Sequence, residues 1–274
     1  MHAEPTQMLS RRGFLATGVA SAAALALGAD TPETGPYGPF KMGLQSYSLR
    51  EFALEEALDK TQDLGLEYWE SFRAHIPPDP GQATTYRNKA IEADIKVIGF
   101  GVVPFKNDQA AVRRLFDFGR LMGIEYFSAD PDPDAFDLLD KMVETYGIAV
   151  GIHNHGPGHR WGKIDTIRDA IKDHHKKIGC CIDTGHFLRA REDPVRAVEV
   201  FHDRIYGVHL KDVKDATKFT ILGEGDLKTA DLLRALTRRK YNYCLALEYE
   251  ENPKNPIEDI KACLAAVRKA AAQL

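Results

Sequence analysis

The residues of this chain best suited to hold a divalent metal are His153, Asp183, His209 and Glu248. Two imidazoles and two carboxylates form a donor set that suits Mn, Fe, Co or Zn. Each of the four closes a short apolar run, and the four runs follow one another along the chain. Singly, each has a plainer reading. A lone histidine at a strand end is more often a structural residue with its hydrogen bonds met. Asp183-Thr184-Gly185-His186 reads as a turn with an aspartate cap, and Glu248 with Glu250 reads as exposed charge. Four consecutive runs that all end on a metal-competent residue are much less easily met by chance.

Among the reactions a bound divalent cation can assist is removal of a proton next to a carbonyl. Chelation by adjacent carbonyl and hydroxyl oxygens would stabilise the enediolate that forms, and electrostatic stabilisation of this kind is usually the largest contribution to rate. Glu248 could serve as ligand and base at once; otherwise His155, Glu70, His186 or Lys211 must supply the base. Lys211 is also placed to neutralise an oxyanion. In extended chain, alternation by two lets His153 and His155 share a face while Asn154 points away, and lets His209 and Lys211 do the same. His186, Arg160 and Trp161 are candidate substrate contacts, although His159 and Trp161 would serve equally well in packing. His174 and His175, beside Lys176 and Lys177, read as a solvated helix end. Gly223-Glu224-Gly225 reads as a turn rather than a phosphate cradle. Only Arg73, Lys106, Arg160, Arg189 and Lys211 stand near expected strand ends. That favours an unphosphorylated sugar or keto-sugar as the small-molecule partner.

Elements that could bring four distant side chains together are legible in the rhythm of the chain. β-Branched or aromatic runs lie at 41–47, 66–70, 95–101, 124–128, 148–153, 179–183, 205–209 and 244–248. Amphipathic stretches near 53–64, 83–92, 107–122, 134–146, 163–175, 194–203, 227–239 and 256–271 alternate with them. Eight such pairs in about 235 residues match a single (β/α)₈ TIM barrel over 40–274, whose site lies at the C-terminal ends of the strands. A doubly wound open sheet would usually carry a Gly-rich loop after its first strand; here that strand runs into Gln45-Ser46-Tyr47-Ser48. The one long, poorly patterned connection, 70–82, is expected to form a lid or rim over the mouth.

The chain has 274 residues and a net charge of −4, so no overall basic field draws it to nucleic acid or anionic lipid. Ser10-Arg11-Arg12-Gly13-Phe14-Leu15, followed by an apolar run to Leu27, resembles a bacterial twin-arginine export signal. The expectation is a signal segment over 1–29, a linker over 30–39, and a periplasmic or exported protein. The apolar run is too short and small-sided for a stable membrane anchor. Cys180, Cys181, Cys244 and Cys263 show neither metal-knuckle nor redox spacing and are expected to be buried, reduced thiols.

Gly151-Ile152-His153-Asn154-His155-Gly156, Ile182-Asp183-Thr184-Gly185-His186, Val208-His209-Leu210-Lys211-Asp212 and Leu247-Glu248-Tyr249-Glu250 together resemble the xylose-isomerase-like sugar isomerase/epimerase superfamily. The resemblance covers almost all of the chain after residue 40. It implies a TIM barrel with one divalent metal (Mn, Co, Zn or Fe) held by Glu, Asp, His and Glu from the last four strands. Asp183, His209 and Glu248 match the last three positions; His153 stands where the epimerases carry Glu. In those epimerases the two Glu ligands also shuttle the proton on opposite faces of the substrate, and one of that pair is missing here. The leading expectation is a metal-dependent isomerase or epimerase of a sugar or keto-sugar. A lyase or hydratase acting on a keto-sugar or 3-keto-glycoside is the alternative. An endonuclease IV-like nuclease and a non-catalytic sugar-binding barrel rank below both.

Overall fold

The computed structural model describes residues 35–274. Eight parallel strands close into a barrel: β1 (Lys41–Gln45), β2 (Tyr68–Ser71), β3 (Lys96–Val103), β4 (Tyr126–Ala129), β5 (Ala149–His153), β6 (Ile178–Asp183), β7 (Ile205–Leu210) and β10 (Cys244–Leu247). β1 pairs with β10, Leu44 beside Leu247, and this seam shuts the ring. An antiparallel hairpin, β8 (Asp212–Lys214) and β9 (Lys218–Thr220), stands above β7. The expected TIM barrel is the fold observed.

The helices between the strands are α1 (Leu54–Asp63), α2 (Ala83–Glu92), α3 (Gln109–Met122), α4 (Phe136–Tyr146), α5 (Ile164–Ile171), α6 (Thr184–Arg189), α7 (Pro194–Phe201), α8 (Thr229–Arg238) and α9 (Ile257–Ala271). Their ends follow from local chemistry. In α3 the Asp108 carboxylate accepts from the amides of Ala110 and Ala111, and the helix stops where Gly123 takes a left-handed conformation. Between those points Val112, Phe116, Gly119 and Met122 recur at helical spacing and are buried. In α7 the cap is Asp193, and Pro194 takes the first helical position, where its missing N–H costs nothing. The sequence periodicity missed α6 and the β8–β9 hairpin. A helix of six residues is too short to show a period, and it exists because Asp183 caps it.

Apolar side chains are buried in two regions. The larger lies between strands and helices and contains Phe116, Phe118 and Phe127. The smaller comprises Ile98, Tyr126, Ala149, Tyr206, Cys244 and Ala246. Space around Tyr126 is tight: a Cβ on Gly207 would stand 2.6 Å from its ring, and Gly207 has φ +102°. Only glycine meets both conditions easily.

One expectation needs revision. Residues 35–39, expected as the end of a linker, form a tight turn in which Tyr37 is buried and its hydroxyl accepts from Arg268 at 2.8 Å. Of the lid or rim expected after β2, the segment forms a packed rim. Its Ile76 is fully buried, and His75 is held between Ser46 Oγ (2.9 Å) and the Phe52 carbonyl (3.2 Å). All four cysteines are buried and free, as expected. The twin-arginine segment and residues 30–34 lie outside the described residues. Among the described residues no helix is long and apolar enough to cross a membrane.

Candidate metal centre and active site

The four expected ligands converge because they end neighbouring strands. Asp183 on β6 stands in register beside His209 on β7, and His153 ends β5 beside Cys181 of β6. Glu248 follows the last residue of β10. One donor atom from each of His153, Asp183, His209 and Glu248 lies within 4.8 Å of the other three, and all four residues are buried.

Protein groups alone leave this cluster badly matched. His153 Nε2 faces His209 Nδ1 at 3.0 Å and Asp183 Oδ2 at 3.4 Å. Glu248 Oε2 lies 3.2 Å from His209 Nδ1. Asp183 Oδ2 and Glu248 Oε2 are buried with no aligned hydrogen-bond donor. Lys211 Nζ is 3.1 and 2.9 Å from them, an ion pair by distance but poorly directed as a hydrogen bond. Buried carboxylate oxygens without a directed hydrogen bond are costly, and two ring nitrogens plus two such oxygens aimed at one place form a cation's donor set. Burial pushes the His153 pKa down to about 4, so the imidazole is neutral and its lone pair is available, as coordination requires. The residues therefore fit a divalent metal.

Glu70 is where the structure departs most from expectation. It is fully buried, and its carboxylate accepts from Gln45 Nε2 (2.8 Å), Tyr126 Oη (2.5 Å), Ser128 Oγ (2.5 Å) and His209 Nε2 (2.8 Å). Burial works to raise its pKa, but His209 and the hydroxyl donors outweigh that and lower it. With four donors on its carboxylate, Glu70 is an orienting partner and not a free base. It fixes the proton on Nε2 of His209 and turns Nδ1 to the centre, the arrangement typical of metal-binding histidines. For His209, burial opposes the charged form, but Cys181, Glu70 and Glu248 raise its pKa well above the usual imidazole range.

Each residue of Asp183-Thr184-Gly185-His186 has a separate task. Asp183 Oδ1 caps α6 by accepting from the His186 amide at 2.7 Å, which leaves Oδ2 for the centre. Thr184 Oγ1 accepts from the Lys211 amide (2.8 Å) and donates to the Lys211 carbonyl (2.5 Å). Gly185 leaves a path for the Lys211 side chain, since a Cβ there would stand 2.8 Å from its Cγ. His186 reaches the mouth. Asn154 joins β5 to β6 by donating to the Asp183 carbonyl (2.9 Å) and accepting from its amide (2.8 Å).

Above the centre is a mouth of about 230 Å³ lined by Gln45, Tyr47, Phe72, Arg73, Gly101, Val102, His153, His155, His186, Lys211, Glu248 and Glu250. Burial lowers the pKa of both His155 and His186 to about 4, so two neutral imidazoles form one wall. Arg189 donates to His186 Nδ1 at 3.3 Å, which leaves the His186 proton on Nε2. Lys211 is ion-paired with Asp183, Glu248 and Glu250, and those charges outweigh the cost of burial and raise its pKa.

Two expected substrate contacts do not line the mouth. Trp161 is buried and its indole donates to the Pro131 carbonyl at 3.2 Å, a packing role. Arg160 is exposed and paired with Asp132. Gln45, Tyr47, Phe72, Ser128, Tyr126 and Asn154 were not singled out by sequence. The usable signal was a polar residue inside an apolar strand, as with Gln45 and Ser128. The turn Gly223-Glu224-Gly225 is no phosphate cradle, because the amides of Gly223, Gly225, Val213 and Leu227 donate to the Asp212 carboxylate.

Residues 22–269 match the family described as "xylose isomerase-like TIM barrel". An inosose dehydratase of Lactiplantibacillus plantarum is 27% identical over 138 residues, which cover 43% of this chain and 46% of that protein. An inosose dehydratase of Clostridium beijerinckii is 21% identical over 268 residues, 84% of this chain and 89% of that one. The chain thus spans about half of some curated relatives and most of others. An uncharacterised protein from Parabacteroides distasonis superposes with TM-score 0.67 at 28% identity, over 85% of this chain and 99% of its own. A 3-keto-D-glucoside 4-epimerase from E. coli has TM-score 0.64 at 15% identity, over 84% and 99% of the two chains. The likeness to the last is one of fold alone.

Proposed function

Because the chain belongs to the xylose isomerase-like TIM-barrel family, we propose that it is a lyase of the dehydratase type. Its substrate would be an unphosphorylated keto-sugar or similar polyhydroxylated ketone. The reaction removes a proton from the carbon next to the carbonyl and expels a β-oxygen substituent. One observation carries this choice over epimerisation. The mouth sets one carboxylate side, Glu248 and Glu250 with Lys211, against neutral imidazoles, where an epimerase of the kind expected needs a second carboxylate at the place of His153. The inosose dehydratase relatives support elimination, and the small mouth suits a single ring, being below the roughly 300–1,000 Å³ of larger ligand sites. Lys211 is committed to three carboxylates, and Arg73 makes no ion pair among the described residues. That supply of cations is meagre for a phosphate group.

The residues divide the work by position. His153, Asp183, His209 and Glu248 would hold a divalent cation whose chemistry is Lewis-acid polarisation of the carbonyl. Glu248 lines the mouth as a carboxylate, takes the α-proton and passes it to the departing β-oxygen, which leaves as water or an alcohol. Lys211 holds its proton at Nζ beside Glu248, suited to meet developing negative charge on oxygen. His186 presents Nε2–H as a neutral donor to substrate oxygen. Glu70 acts through His209.

Incubation with ketoses and 3-keto-glycosides in D₂O tests the reading. The expected result is deuterium at the α-carbon together with an absorbing unsaturated ketone, with both signals lowered by about 10²-fold or more in Glu248→Gln. Exchange with an epimer as the only product would shift the reading to epimerisation. No exchange with any of these ketones, with Mn or Co added, would sink carbon-acid chemistry altogether.

A further inference from the structure

We propose a second divalent-metal site, distinct from the centre of the barrel, formed by Asp130, His155 and His159 on the rim above β4 and β5. One donor atom from each of the three lies within 4.8 Å of the other two. The His155 and His159 rings are 4.3 Å apart between centroids. Asp130 Oδ1 and His155 Nδ1 are buried and have no hydrogen-bond partner. The remaining protein contact, His159 Nε2 to Asp130 Oδ2, is 3.4 Å, too long for a strong hydrogen bond.

The backbone around these groups is already fixed. The Trp161 indole donates to the Pro131 carbonyl (3.2 Å) and Arg160 pairs with Asp132 (2.8 Å), so the loop after β5 is fastened on both sides of the chain that follows Asp130. Asp130 itself is held by its amide donating to the Val103 carbonyl at 2.9 Å. Two imidazoles and one carboxylate on a prearranged frame suit zinc, cobalt or manganese and leave coordination positions open. Binding through Nε2 of His159 places its proton on Nδ1 and gives up the long 3.3 Å contact from the Trp161 amide. Coordination through Asp130 Oδ1 and His155 Nδ1 would give each of those buried atoms a partner. His155 also lines the mouth, so an ion here would fix the orientation of that ring toward the substrate.

The test is a metal count on the full chain, stripped and then dialysed against Co(II), with cobalt measured by elemental analysis and by visible absorption. Wild-type protein should carry one equivalent more than either Asp130→Asn or His159→Gln. The absorption lost in those variants should differ from that lost in His153→Ala. Asp130→Asn is nearly isosteric, so it carries the comparison if His159→Gln melts early. A single cobalt in the wild type, or an unchanged count in both variants, overturns the proposal. So does loss of the extra equivalent only in His174→Gln, at the separate Asp137–Asp140–His174 group.

Discussion

Glu70 governs a ring rather than a reaction. Its carboxylate holds His209 Nε2, so Glu70→Gln should leave the barrel folded but loosen the metal about 10–100-fold. Competition with a chelator measures this, and unchanged affinity would mean that His209 needs no partner to present Nδ1. His75 gives a second residue-level prediction. Burial lowers its pKa although the Phe52 carbonyl works the other way. The unfolded chain therefore takes up the proton first as pH falls below about 6.5, and the stability that His75 contributes is lost from there downward through its folded pKa. His75→Gln should flatten the fall in urea stability between pH 7 and pH 5; an equally steep fall would refute it. The sequence already pointed to the four residues that converge at the strand ends, because each is a polar residue closing an apolar strand. The roles of Glu70, Ser128, Tyr126 and Gln45 were not legible, since the contacts that define them join positions 25 to 139 residues apart.

At the level of elements, the strands of the ring were readable because each is a short buried run between amphipathic helices. Their ends were less so: Glu248 lies one residue past β10, and α6 and the β8–β9 hairpin are too brief to carry a period. Those short elements shape the mouth, with Phe219 of β9 packed edge-on to His186 and 5.1 Å from Lys211 Nζ. Strand geometry also sets a strict demand at Gly207. An alanine there meets the Tyr126 ring and adopts a conformation unfavourable to L residues, so Gly207→Ala should cost about 3 kcal/mol or more. Denaturant unfolding checks it, and a loss below about 1 kcal/mol would show that Tyr126 can move aside.

For the whole molecule, the residues that precede the barrel raise the question of where it works. We propose export by the twin-arginine route, on the strength of Ser10-Arg11-Arg12-Gly13-Phe14-Leu15. Residues 1–34 fused to a reporter should carry it out of the cytoplasm, and replacing Arg11 and Arg12 by Lys should stop this. Export that is indifferent to both arginines would remove the proposal. The β1–β10 seam bears on the same question through the timing of synthesis. It joins Lys41–Leu44 to Cys244–Leu247, so a nascent chain has an open sheet until its last strand leaves the ribosome. Glu248 emerges with that strand. Sheet closure and completion of the donor set thus fall in one event, and of that set the growing polypeptide displays only His153, Asp183 and His209 before its ring is whole.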